Sequence, residues 1–126
     1  MRDIEFRGKD IKTGEWRFGY FRVGSFWKNA MIDSAYNPMS YEVDPETVGQ
    51  YTGLKDKNGA KIFEGDIVKG DLDFDEGRIG CIGKVIFLNG IFYFSRNPYD
   101  VCELYKYRNL EIIGNIHDNP EPLHAN

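Results

Sequence analysis

Val85-Ile86-Phe87-Leu88-Asn89-Gly90-Ile91-Phe92-Tyr93-Phe94 is two runs of β-branched and aromatic residues joined by Asn-Gly. Such a pattern predicts a hairpin closed by a type I′ turn, because both central residues of that turn need positive φ, which Asn and Gly adopt at least cost. A two-residue loop also fixes the register: Leu88 opposite Ile91, Phe87 opposite Phe92, Ile86 opposite Tyr93, and Val85 opposite Phe94. One face then carries Val85, Phe87, Phe92 and Phe94, the other Ile86, Leu88, Ile91 and Tyr93, and neither is made for water. A sheet curled into a small barrel covers one face. The second must meet another part of the chain or another copy of it, so Ile86, Leu88, Ile91 and Tyr93 form a candidate self-association interface.

Working outward, the first 23 residues also read as a hairpin. Ile4 and Phe6 alternate with Asp3, Glu5 and Arg7, and Lys9 to Gly14 supplies turn chemistry. After that turn Trp16, Phe18 and Tyr20 share one face, which the pattern marks as core. A third strand is expected from about Ser25 to Ile32, then a turn-rich loop from Asp33 to Pro38. Asp44-Pro45-Glu46-Thr47-Val48-Gly49 has the signature of one short helical turn: Asp44 can accept from free backbone N–H groups, and Pro45 suits a first helical position. Asn58-Gly59 favours a tight reversal, and Gly65-Asp66 opens a new strand. Towards the C-terminus, Pro98-Tyr99-Asp100 opens either a short helix through Lys106 or a strand with loops. Glu111 to Ile116 reads as a closing strand, before a tail punctuated by Pro120 and Pro122.

The length of 126 residues fits one domain or two small lobes, and 41% hydrophobic with 29% charged residues is a globular composition. The 16 basic residues do not match the 20 acidic ones, leaving a net charge of −4 and none of the basic excess of an electrostatic nucleic-acid binder. On the first hairpin Arg2, Arg7, Lys9, Lys12, Arg17 and Arg22 are interleaved with Asp3, Glu5, Asp10 and Glu15. No apolar run suits a membrane span, and Met1-Arg2-Asp3-Ile4-Glu5-Phe6 lacks a signal-peptide pattern, so a soluble cytoplasmic protein without membrane contact is expected.

Asp71-Leu72-Asp73-Phe74-Asp75-Glu76 alternates acids as a calcium loop does, but Glu76 stands where such a loop needs Gly and Ile82 where it needs Glu. Asp71, Asp73, Asp75 and Glu76 read instead as a candidate partner-contact loop suited to a basic surface. Cys81, Cys102, His117 and His124 have no metal-ligand spacing. Glu64 and Asp66 flank Gly65, and with His117 they are the only candidates for catalysis that composition offers. Asp66 fits better as a turn cap. No catalytic, cofactor-binding or metal-binding residue is therefore assigned, and a non-enzyme is expected.

Three segments together resemble the YopX family of uncharacterised phage and prophage proteins. They are Arg2 to Arg7; Val43-Asp44-Pro45-Glu46-Thr47-Val48-Gly49-Gln50-Tyr51-Thr52-Gly53-Leu54-Lys55-Asp56-Lys57-Asn58-Gly59 running on to Ile62-Phe63-Glu64-Gly65-Asp66-Ile67-Val68; and Glu111-Ile112-Ile113-Gly114-Asn115-Ile116-His117-Asp118-Asn119-Pro120-Glu121. The resemblance implies a mainly β fold, with a small N-terminal antiparallel sheet over 1–45, a connector over 46–60, and a C-terminal SH3-like β-barrel with short tail over 61–126. Short helical turns occupy the connections. It further implies a phage or prophage origin and a homo-oligomer, with no activity or site residue to carry over. Two functions remain in view: an oligomeric module contacting a phage or host protein, and a nucleic-acid-binding SH3-like module.

Overall fold

The computed structural model describes residues 4–24, 29–72 and 77–124. It is mainly β, with antiparallel strands in two units, Met1–Tyr51 and Thr52–Asn126. The boundary falls inside the segment 46–60, much of which is a strand.

In the first unit the strands are β1 (Phe6–Lys9), β2 (Trp16–Val23), β3 (Ala30–Ser34), β4 (Ser40–Val43) and the start of β5 (Gly49–Lys55). Their order is β4-β3-β2-β1-β5. Asp10 closes the first turn, its carboxylate accepting from the Lys12 N–H at 2.8 Å and pairing with Arg17 at 3.1 Å. β4 then folds back on the end of β1, where the Asp44 N–H donates to the Lys9 carbonyl at 2.8 Å and the Ile11 N–H to the Glu42 carbonyl at 3.1 Å. Asp44 also caps the 3-10 turn Pro45–Thr47, accepting from the Glu46 N–H with Pro45 at the helical start, as its residue types predict.

Register decides which face of this sheet is core. Gly8 lies opposite Arg17, whereas Arg7 lies opposite Phe18 and Lys9 opposite Trp16. A Cβ on Gly8 would lie 2.8 Å from Val43. The fully buried Ile32 and Val43 thus share the Gly8 face, with the Arg17 guanidinium 4.0 Å above the Tyr41 ring. Trp16, Phe18 and Tyr20 occupy the opposite face, and Tyr20 is 60% exposed. The expectation that this aromatic stripe is the core holds only in part: the fully buried Ile32 and Val43 lie on the other face, where a Cβ on Gly8 would strike Val43, while Trp16 and Phe18 are half-buried beside the buried Arg7 and Tyr20 is exposed. The stripe also carries cations, with the Arg7 guanidinium 4.5 Å and the Lys9 ammonium 5.7 Å from the Trp16 ring centre. β3 begins at Ala30 and runs through Ser34, later than expected. Residues 25–28 of the expected third strand lie outside the described residues.

In the second unit β5 continues beside β6 (Lys61–Phe63). A five-stranded sheet follows, in the order β10-β9-β8-β7-β11, built from β7 (Asp66–Leu72), β8 (Arg78–Leu88), β9 (Ile91–Asn97), β10 (Asp100–Glu103) and β11 (Tyr107–Asn115). The β8–β9 hairpin has the register its sequence dictates, Val85 opposite Phe94 through Leu88 opposite Ile91. Asn89 and Gly90 both have positive φ, 51° and 82°, as a type I′ turn needs. Phe94 is fully buried, stacks on Tyr107 with ring centres 3.8 Å apart, and lies so close to Gly83 that a Cβ there would be 2.6 Å from its ring. Around it gather Ile62, Val68, Leu72, Val85 and Leu104. The core face of the hairpin is thus the Val85–Phe94 side. β10 is an edge strand, with Cys102 opposite Phe94, so the region after Pro98 is a strand followed by the 3-10 turn Leu104–Lys106 rather than a helix. The sheet is open, with β10 and β11 at its edges, and no closed barrel is formed among the described residues. A single helical turn, α1 (Glu121–His124), packs against β8. Among the described residues no helix is long and apolar enough to cross a membrane.

Candidate functional site

Four polar residues of the motif segments, Thr52, Asp56, Asp66 and Asn115, are occupied by backbone groups. Thr52 Oγ1 donates to the Ile62 carbonyl at 2.8 Å and accepts from the Leu54 N–H at 3.1 Å, locking β5 to β6. The Asp66 carboxylate, almost fully buried, accepts from the Phe63 N–H at 2.8 Å and shapes the turn at Gly65, whose φ is 93°. Asp66 is thus a turn cap, and the pairing with Glu64 that composition offered for catalysis finds it engaged. Near His117 the side chain doing the work is Asn115: its Oδ1 accepts from the N–H groups of His117 and Asp118, at 2.9 and 2.8 Å.

Asp56 makes the most consequential of these bonds. Its carboxylate accepts from the N–H groups of Asn58 and Ala60, both at 2.9 Å, and reaches the N–H of Ile112 in β11 at 3.1 Å. One residue on, the Lys57 N–H donates to the Leu110 carbonyl at 2.8 Å. Burial pushes the Asp56 carboxyl up, but the three backbone N–H groups and the Lys57 charge outweigh it, leaving the group below its ordinary value. Sequence reading finds the Asn58-Gly59 turn and misses its partner, because Ile112 lies 56 residues away.

Of the acidic stretch, Asp71 lies at the end of β7. Its carboxylate accepts from the Asn109 side chain at 3.0 Å and the Gly80 N–H at 2.8 Å, and these bonds hold its carboxyl below the ordinary range. Asp73, Asp75 and Glu76 lie outside the described residues. The four residues of the candidate interface occupy the outer face of the β8–β9 hairpin. Ile86 and Tyr93 are half-buried, whereas Leu88 and Ile91 at its tip are 52% and 43% exposed. Cys81 is a buried and Cys102 a half-buried free thiol. Among the described residues no three of His, Cys, Asp and Glu gather in a way that could hold a metal ion.

Two features of the second unit were not legible in the sequence. Tyr107 is buried and its hydroxyl has no hydrogen-bond partner among the described residues. Burial, reinforced by the neighbouring Cys81, Cys102 and Asp100, pushes its phenol up to about 12. Beside its ring a cleft of about 330 Å³ opens between the Leu54–Lys57 stretch and the residues Tyr105, Asn109 and Leu110. Lys55 and Tyr105 both line it from positions 50 residues apart, so no local pattern announces the pair.

The chain is similar to a solved structure, protein EF1440 from Enterococcus faecalis, with a TM-score of 0.58 and 27% identity over 98% of this chain and 99% of that one. No curated protein matches it. The family model described as YopX protein matches residues 5–124, which takes in all three motif segments apart from the first residues. The chain therefore belongs to the YopX family.

Proposed function

We propose that this protein is a phage- or prophage-encoded, non-enzymatic interaction module that works in the cytoplasm of its bacterial host, assembling with copies of itself and holding a protein partner. The observation that carries this reading is the fate of the motif polar groups. Thr52, Asp56 and Asp66 each hold a backbone N–H or carbonyl, and a scaffold role for these motif residues supports the reading. The surfaces left over among the described residues are of the contact type: the Leu88–Ile91 tip and the edges of the sheet; the acidic residues Asp73, Asp75 and Glu76 are proposed from sequence alone as a further contact for a basic partner. In the second unit β11 returns beside β7 after the 3-10 turn, a connectivity that suits a partly open SH3-like barrel.

A tagged chain recovered from phage-infected lysate, with and without nuclease, tests the partner. Proteins that survive nuclease treatment are the expected result, and a reaction abolished by one point substitution would overturn the reading. For self-association, Leu88→Lys or Ile91→Lys is expected to lower the mass measured by light scattering; an unchanged mass returns that face to the single chain.

One observation favours a nucleic-acid reading. Tyr20, exposed on β2, shares its face with the half-buried Trp16 and Phe18 and with the Lys9 ammonium, a disposition suited to stacking a base beside a phosphate. It predicts retention of single-stranded DNA or RNA that falls steeply with salt.

A further inference from the structure

We infer that the cleft beside Tyr105 binds an extended peptide segment of a partner protein that presents one carboxylate next to an apolar side chain. The inference rests on the interaction-module reading and gives it a place and a chemistry. The walls of the cleft are fixed before any ligand arrives. One is held to β11 by the Asp56 carboxylate on the Ile112 N–H and by the Lys57 N–H on the Leu110 carbonyl; on the other, the Asn109 side chain is tied to Asp71. Preformed walls spare the ligand the cost of ordering them. A volume of about 330 Å³ is enough for one or two side chains and lies at the small end of ligand sites.

The lining chooses the ligand. Leu54 and Leu110 offer apolar surface, and the Tyr105 ring is 69% exposed beside them, which suits an aliphatic or aromatic side chain. The Asp56 carboxylate is already consumed by three N–H donors. The Lys57 ammonium stands 3.5 Å from Glu111 and is partly neutralised. Lys55 is exposed, and its ammonium has no ion pair or hydrogen bond among the described residues. One ammonium with no partner among the described residues matches one carboxylate. Glu111 and Asp71 near Lys57 make the surroundings repel a polyanion, which disfavours a nucleic-acid strand here.

The test is fluorescence anisotropy of the full chain with a labelled Gly-Ser peptide holding one Asp beside one Phe, its counterpart with Asn in place of that Asp, and a single-stranded oligonucleotide. Saturable binding of the acidic peptide is expected, weakened about threefold by Lys55→Ala and about tenfold by Tyr105→Ala. Lys84→Ala, in β8 outside the cleft, should leave it unchanged, and equal thermal midpoints will show that the variants fold. The amide peptide should bind several-fold more weakly. No saturable binding in the millimolar range, binding indifferent to both cleft substitutions, or displacement of the peptide by the oligonucleotide would each overturn the inference. The broader reading is separated by capture from lysate. A nuclease-resistant partner recovered equally by the wild type and by the Lys55→Ala, Tyr105→Ala double variant sinks the cleft and leaves the module standing; no partner with either sinks the module itself.

Discussion

Tyr107 shows how a single atom can work against a fold. Its ring stacks on Phe94 in the core, but the hydroxyl is buried with no hydrogen-bond partner among the described residues, so folding removes it from bulk water without a protein bond in exchange there. Tyr107→Phe is therefore expected to stabilise the protein by about 1 kcal/mol, measured as a higher urea midpoint at neutral pH. The same burial sets an alkaline signature. The phenol ionises near 12 in the folded chain and near 10 when unfolded, so the unfolded state releases its proton first as pH rises. Stability should fall from about pH 10 upward through this group, and the Phe variant should lose that part of the decline. Asp56 is the opposite case, one carboxylate holding three N–H groups. Asp56→Ala leaves those donors to compete for water and should cost about 3 kcal/mol, with faster amide exchange at Ile112 as the local readout.

Among the elements, the β8–β9 hairpin is the one the sequence dictates most completely. Chirality leaves few residues able to adopt positive φ, so Asn89-Gly90 names its turn, and a two-residue turn names every pair along the strands. Gly90→Val should cost about 1–2 kcal/mol in thermal or urea unfolding by straining that turn. The cap at Asp44 and the turn at Asp66 are legible for the same reason: donor and acceptor lie within three residues of each other. What the sequence conceals is long-range. Alternation puts Trp16, Phe18 and Tyr20 on one face but cannot say which face is interior; Val43, packed on Gly8 from a distant strand, decides it. The residues after Pro98 carry helical spacing, yet pairing of Cys102 beside Phe94 wins, because an edge strand there covers the core. The cleft is invisible for a related reason, since its two walls meet only after β11 has returned beside β7.

At the scale of the molecule, charge sets the acid limit as burial sets the alkaline one. Asp10, Asp33, Asp56, Asp71 and Glu103 all have carboxyls held below their ordinary values by hydrogen bonds and neighbouring cations. Their contribution is present above the unfolded carboxylate range and is lost as pH falls through the lower folded values. Urea midpoints should therefore be highest between about pH 5 and 9 and decline on both sides, with acid loss blunted in Asp56→Ala. The grip of Asp56 and Lys57 on β11 has one more consequence. β11 is a nine-residue strand at the rim of its sheet, and the turn occupies the Leu110 carbonyl and Ile112 N–H that a foreign strand would otherwise recruit. With those two groups engaged, this edge has less to offer a foreign strand, and a variant that opens the turn, such as Asp56→Ala, is expected to aggregate faster, measured by thioflavin fluorescence.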